Sequence, residues 1–117
     1  MTQYNEKVYR NMQQALVTSS PDVRNMLIGH AHIISDEDPV DFETVVFFSN
    51  AINAKEDNTK STIEVVEDYM VASLADTTRI IDERVISVAK CWIQDAKNIK
   101  AQMKNDELLY TKLFIMC

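Results

Sequence analysis

The sequence predicts an all-α protein, a helical bundle of four to six helices, on three observations. Gly occurs once and Pro twice in 117 residues, and neither recurs after Pro39. All-β domains need both at many tight turns, whereas helix interiors tolerate neither. Helix-start signals stand at Ser20-Pro21-Asp22, Asp38-Pro39 and Ser61-Thr62-Ile63-Glu64. Between them, apolar residues recur at steps of three and four, the period of one helix face.

Tyr4, Val8, Met12, Ala15 and Leu16 lie on one such face, which predicts a first helix over 4–18. Ser20, Pro21 and Asp22 then suit the first turn of a second: the hydroxyl accepts from free amides, Pro supplies helical φ, and the acid complements the dipole. Val23, Met26, Leu27, Ala31 and Ile34 give this helix, 21–34, its apolar face. Gly29 weakens it by about 1 kcal/mol relative to Ala, which suggests that something packs closely there. A third helix over 40–54 follows Asp38-Pro39, with a wide apolar arc from Phe42 to Ile52. Within it Val45-Val46-Phe47-Phe48 also fits a strand, since short apolar runs suit either.

The most informative stretch begins at Ser61. Ser61-Thr62-Ile63-Glu64 is a capping box, in which hydroxyl and carboxylate each satisfy an amide of the first turn. One stripe then runs through Ile63, Val66, Met70, Leu74, Thr77, Ile81, Val85, Val88, Trp92, Ala96, Ile99 and Met103, at steps of 3, 4 and 4 without a slip. With neither Gly nor Pro to break it, 61–104 reads as one spine helix of roughly 66 Å. A break near 75–78 is the alternative. A compact chain of this size has a radius of gyration near 13 Å, so an unbroken spine must project and be covered by a second chain. The charges agree: 61–83 holds Glu64, Glu67, Asp68, Asp76, Asp82 and Glu83 against Arg79, and 84–104 holds Arg84, Lys90, Lys97, Lys100 and Lys104 against Asp95. Two copies laid antiparallel would set acid beside base. Asn105-Asp106 reads as the cap of a last short helix, and the tail Leu113 to Cys117 is apolar enough to need docking.

The length bounds a single domain, 1–117. A net charge of −6 disfavours nucleic acid or an anionic membrane as main partner. No apolar run approaches the roughly 20 residues of a membrane span, Met1 to Arg10 is too polar for a secretory signal, and two cysteines make no disulfide framework. The expected compartment is cytoplasmic, or host cytoplasm for a viral chain.

Few residues carry chemistry. His30 and His32, followed by Asp36, Glu37, Asp38, Asp41 and Glu43, are the metal-ligand candidates, but His residues two apart diverge on a helix. The acidic run lacks the glycine and terminal Glu of a calcium loop. Glu64, Glu67 and Asp68 resemble the paired carboxylates with which helical nucleotide pyrophosphatases hold magnesium. Those enzymes need a second Glu-x-x-Asp set, for which Asp82-Glu83 is a loose substitute. No Gly-rich phosphate loop or nucleophile–base set is present. Lys90, Lys97 and Lys104 read as a solvated basic stripe, and Trp92 as a core or interface anchor.

The expected function is therefore non-enzymatic, without a cofactor. The sequence predicts a small acidic helical protein that binds another protein, as an inhibitor, immunity or anti-host factor, adaptor or chaperone would, and that forms a homodimer. Val85, Val88, Trp92, Ile99 and Met103 on the seam, with Phe114 in the tail, are the candidate partner-binding residues. The alternatives are a metal-dependent helical enzyme using Glu64, Glu67, Asp68, Asp82 and Glu83, and a structural subunit that self-assembles through the seam.

Overall fold

A computed structural model describes residues 5–54 and 60–116, with side chains through Met103. Among these residues there are five α-helices: α1 Glu6–Val17, α2 Pro21–Ile34, α3 Pro39–Asn53, α4 Thr62–Ala75 and α5 Glu83–Met116, with a single 3-10 turn at Ser35–Glu37. The protein is all-α, and 45–48 is helix within α3.

Each helix starts where a short polar side chain can take up a free amide. Asn5 Oδ1 accepts from the Lys7 N–H at 2.9 Å, and Ser20 Oγ from the Val23 N–H at 3.3 Å. Asp38 Oδ1 accepts from both the Val40 and Asp41 N–H groups, at 3.0 and 3.3 Å. Pro21 and Pro39 occupy the first turns of their helices, where no N–H is missed. The end of α1 is closed by a side chain from the next helix. Arg24 Nε donates to the Ala15 carbonyl at 3.2 Å and Nη2 to that of Thr18 at 2.8 Å. The Ser61 box is half formed as expected. Ser61 Oγ accepts from the Glu64 N–H at 3.3 Å, while the Glu64 carboxylate accepts from that same hydroxyl at 3.2 Å.

The spine is broken. Residues 76–82 run between α4 and α5, so 61–104 is two helices. Polar residues make the break without Gly or Pro. Asp76 ends α4 with extended backbone, and its Oδ1 accepts from the Thr78 N–H at 3.0 Å and the Thr78 hydroxyl at 2.6 Å. Asp82 Oδ1 accepts from the Arg84 N–H at 2.8 Å, which starts α5. The two helices fold back as an antiparallel hairpin, and Lys97 of α5 meets Glu67 of α4 at 2.9 Å. One acid of the early half and one base of the late half thus pair within the chain.

One core takes side chains from all five helices. At its centre Trp92 is 0 % exposed and stacks on Phe48, with ring centroids 5.8 Å apart and planes 23° from parallel. Val8, Met12 and Leu16 close it from α1, and Val66 and Met70 from α4. Two expectations are corrected here. A Cβ built on Gly29 meets nothing within 4 Å, so no close packing explains that residue. Asn105-Asp106 does not start a new helix, because α5 runs on through Met116. Polar residues in a helix interior cost only tenths of a kcal/mol, too little to stop a helix without Pro or Gly. At 34 residues α5 is about 51 Å long. The molecule measures 57 × 30 × 29 Å with a radius of gyration of 15.7 Å, above the roughly 13 Å of a compact chain this size. The distal half of α5 accounts for the elongation.

Candidate functional site

The seam predicted as a binding surface divides at Ala96. Val85, Val88, Trp92 and Ala96 are buried within the chain's own core, under α1, α3 and α4. They are consumed by folding and offer no surface to a partner. Ile99 and Met103 continue the same stripe past the bundle and are 38 % and 49 % exposed. Lys100 lies one turn before Met103, whereas Lys97 faces α4, where it pairs with Glu67. Phe114 and the apolar tail, Leu113 to Cys117, lie outside the described side chains.

Polar contacts sequence reasoning missed hold α5 to α1. Tyr9 Oη donates to Asp95 Oδ2 at 2.7 Å, and buried Gln13 sends Nε2 to the Trp92 carbonyl at 2.9 Å. Gln13 Oε1 finds no partner among the described residues. The only sequence signal for either contact is a Gln on the apolar face of α1. Cys91 sits beside the first contact, 3.9 Å from Asp95 Oδ2. Burial first, then the Asp95 charge, pushes its thiol up from the ordinary range. A thiol so placed is a weak nucleophile, because the thiolate is the reactive form.

A second buried polar group lies at the start of α3. Asp41 is 0 % exposed; its Oδ2 accepts from the Asn5 N–H at 2.7 Å, and its Oδ1 has no partner among the described residues. Desolvation raises its carboxyl above the usual range, against the pull of the Asn5 hydrogen bond.

The metal candidates do not converge. His30 and His32 both lie on α2, two residues apart, and the helix turns them away from each other. His32 Nε2 is 3.0 Å from Ser49 Oγ, with its ring edge-on to Phe42, while His30 is exposed. The carboxylates of the rival reading are also dispersed. Glu64 accepts from the Ser61 hydroxyl, Glu67 pairs with Lys97, Asp68 pairs with Lys60 at 2.6 Å, and Asp82 pairs with Arg84. The hairpin sets Asp82 and Glu83 beside the C-terminal end of α4. Glu64, Glu67 and Asp68 lie seven to eleven residues earlier on α4, roughly 10–16 Å along the axis. Among the described residues no three His, Cys, Asp or Glu side chains stand close enough to share an ion. No helix of the described residues is long and apolar enough to cross a membrane.

The surface of the described residues includes two open hollows that bear on the site. One, of about 340 Å³, lies between α3 and the 76–82 connection, with Phe42, Val46, Ile80 and Ile81 among its lining and Glu43, Arg79 and Asp82 at its edge. The other, of about 310 Å³, is a groove along the α4/α5 hairpin, floored by Met70, Val71 and Ile93 and edged by Glu67, Lys90 and Lys97.

No family model matches this chain, and no curated protein or solved structure is significantly similar to it. The functional reading therefore rests on the chain's own surfaces.

Proposed function

We propose that this chain is a non-enzymatic binding protein that engages another protein through the distal half of α5. The observation that carries the reading is the continuity of one stripe across the edge of the bundle. Val88, Trp92 and Ala96 are buried, and the next two steps, Ile99 and Met103, are about half bare on a helix that has outrun its neighbours. An apolar stripe on a projecting helix is the form taken by helix-in-groove recognition. Lys100, one turn before Met103, suits a groove rimmed with acids. Burying the bare parts of both apolar side chains supplies about 1 kcal/mol each. Inhibitor, immunity or anti-host factor, adaptor and chaperone are all roles such a hook can serve.

Photo-crosslinking tests this. A photoreactive amino acid at position 103 should give one discrete heavier adduct in extract of the native host, and at exposed Ala101, off the stripe, none. The Ile99→Asp, Met103→Asp double variant should compete poorly for that adduct while melting as the parent does. Equal adducts from positions 101 and 103, or none from either, would overturn the reading.

A further inference from the structure

The α4/α5 groove lies on a different surface from the hook, and its two walls carry opposite charge. On α4 the wall is acidic, with Glu67; on α5 it is basic, with Lys90 and Lys97. Between the walls the floor is apolar, made by Met70, Val71 and Ile93, with Val71 69 % exposed; Leu74, 46 % exposed, follows Val71 one turn on along α4. Lys97 is held by Glu67 across the groove, whereas Lys90 is exposed and makes no ion pair among the described residues. A partner of one charge sign would satisfy one wall and be repelled by the other. The partner that fits carries the same two walls.

We infer that this groove is the seat of a second copy of the chain, which packs hairpin on hairpin as a four-helix dimer. A two-fold axis parallel to the hairpin lays α4 of one copy on α5 of the other and keeps every residue at its own height. Glu67 and Lys97 already share a height within one chain, so in the dimer each Glu67 faces the second copy's Lys97. Val71 and Ile93 share the next height, so each exposed Val71 lies over the small part of the second copy's Ile93, 6 % exposed, that its own core leaves uncovered at the groove floor. Lys90 lies a turn further along, where its aliphatic stem can cover Leu74 and its ammonium reach water. The contact is isologous, as the commonest closed dimers are. A face one 14-residue helix long and two helices wide measures roughly 21 by 18 Å. That is roughly 380 Å² per copy, below the size of a stable specific interface and in the range of weak, transient ones, so weak association is expected.

Charge-swap complementation read by analytical ultracentrifugation tests this. The full chain should show a concentration-dependent monomer–dimer equilibrium. Glu67→Lys sets Lys against Lys at this height of the groove and Lys97→Glu sets Glu against Glu, so each variant alone should self-associate about tenfold more weakly. Mixed in equal amounts they should form a heterodimer, because each swapped wall then meets its opposite. Rescue by mixing cannot come from the intrachain pair, which is repulsive in both variants. Should either swap fail to fold, Val71→Asp decides, with the melting temperature kept and the dimer lost. The Ile99→Asp, Met103→Asp variant should dimerise like the parent. A strict monomer at every concentration, no rescue on mixing, a Val71→Asp variant that still dimerises, or loss of the dimer in the distal variant would overturn the proposal. None of these outcomes bears on the crosslinking result at position 103, so the two readings fail separately.

Discussion

Replacing Gly29 with Ala should make the protein more stable, and the size of the gain can be worked from the structure. Gly29 lies inside α2, eight residues after Pro21 and five before Ile34. Its φ is not in the left-handed region, so an L side chain meets no backbone strain. It is exposed, and a Cβ there has no atom within 4 Å to strike or to pack against. Packing therefore contributes nothing in either direction, and the whole effect is helix propensity, which favours Ala by about 0.8–1 kcal/mol. With an unfolding entropy of about 2.1 cal/mol/K per residue, that raises the melting temperature of a chain this size by about 4 °C. Parallel thermal melts by circular dichroism measure it. Urea titrations should show a higher midpoint with an unchanged slope, the mark of a stability change without a change in the surface exposed. An unchanged or lower melting temperature would refute the reasoning, because it would mean that the Cβ meets another surface.

Asp41→Asn should change the pH dependence of stability. The folded carboxyl sits above its ordinary value, so the native state keeps a proton that the unfolded chain releases. Its contribution is full below about pH 4 and is lost as pH rises through the raised value. Asp76 and Asp82, held low by Thr78 and Arg84 respectively, act in the opposite sense but are common to both proteins. The stability of wild type minus that of the variant should therefore fall with rising pH across the mildly acid range, as measured by denaturant melts at each pH. Trp92→Ala should lose about 3–5 kcal/mol in such melts and Trp92→Phe clearly less, since the first empties the centre of the core and the second keeps a ring on Phe48. Ser61→Ala should lose about 1 kcal/mol through the α4 cap, again by denaturant melt. Gln13→Met should fall within about 1 kcal/mol of wild type despite breaking the Gln13 bond to Trp92, because it also removes the buried Oε1 that lacks a partner.

Much of the fold was legible because its signals are local. Ser20-Pro21, Asp38-Pro39 and Ser61 act on amides two or three residues away, and α2, α3 and α4 begin where those residues stand. The break at 76–82 was not legible in periodicity, because the apolar steps carry on through it. Ile63 to Met70 and Val85 to Ala96 face the same core from two antiparallel helices, so the stripe keeps its phase while the chain reverses. What signals the reversal is Asp76 with Thr78 two residues on, a side-chain turn, followed by the capping Asp82. The site was legible only in part. Ile99 and Met103 belong to the seam by sequence, but only the lengths of the neighbouring helices decide that cover ends after Ala96. The α4/α5 groove was hidden because Val71 falls off the predicted stripe, and its charged walls become walls only once the hairpin closes.

The position of Trp92 has a spectroscopic consequence. It is the chain's only tryptophan, fully buried and stacked on Phe48. Ile99 lies seven residues along the same helix, about 10 Å away. The chain thus carries its own fluorophore, rigidly joined to the stripe that would meet a partner. A bend or twist imposed on the distal helix would reach the indole through the backbone and change its emission, with no label attached.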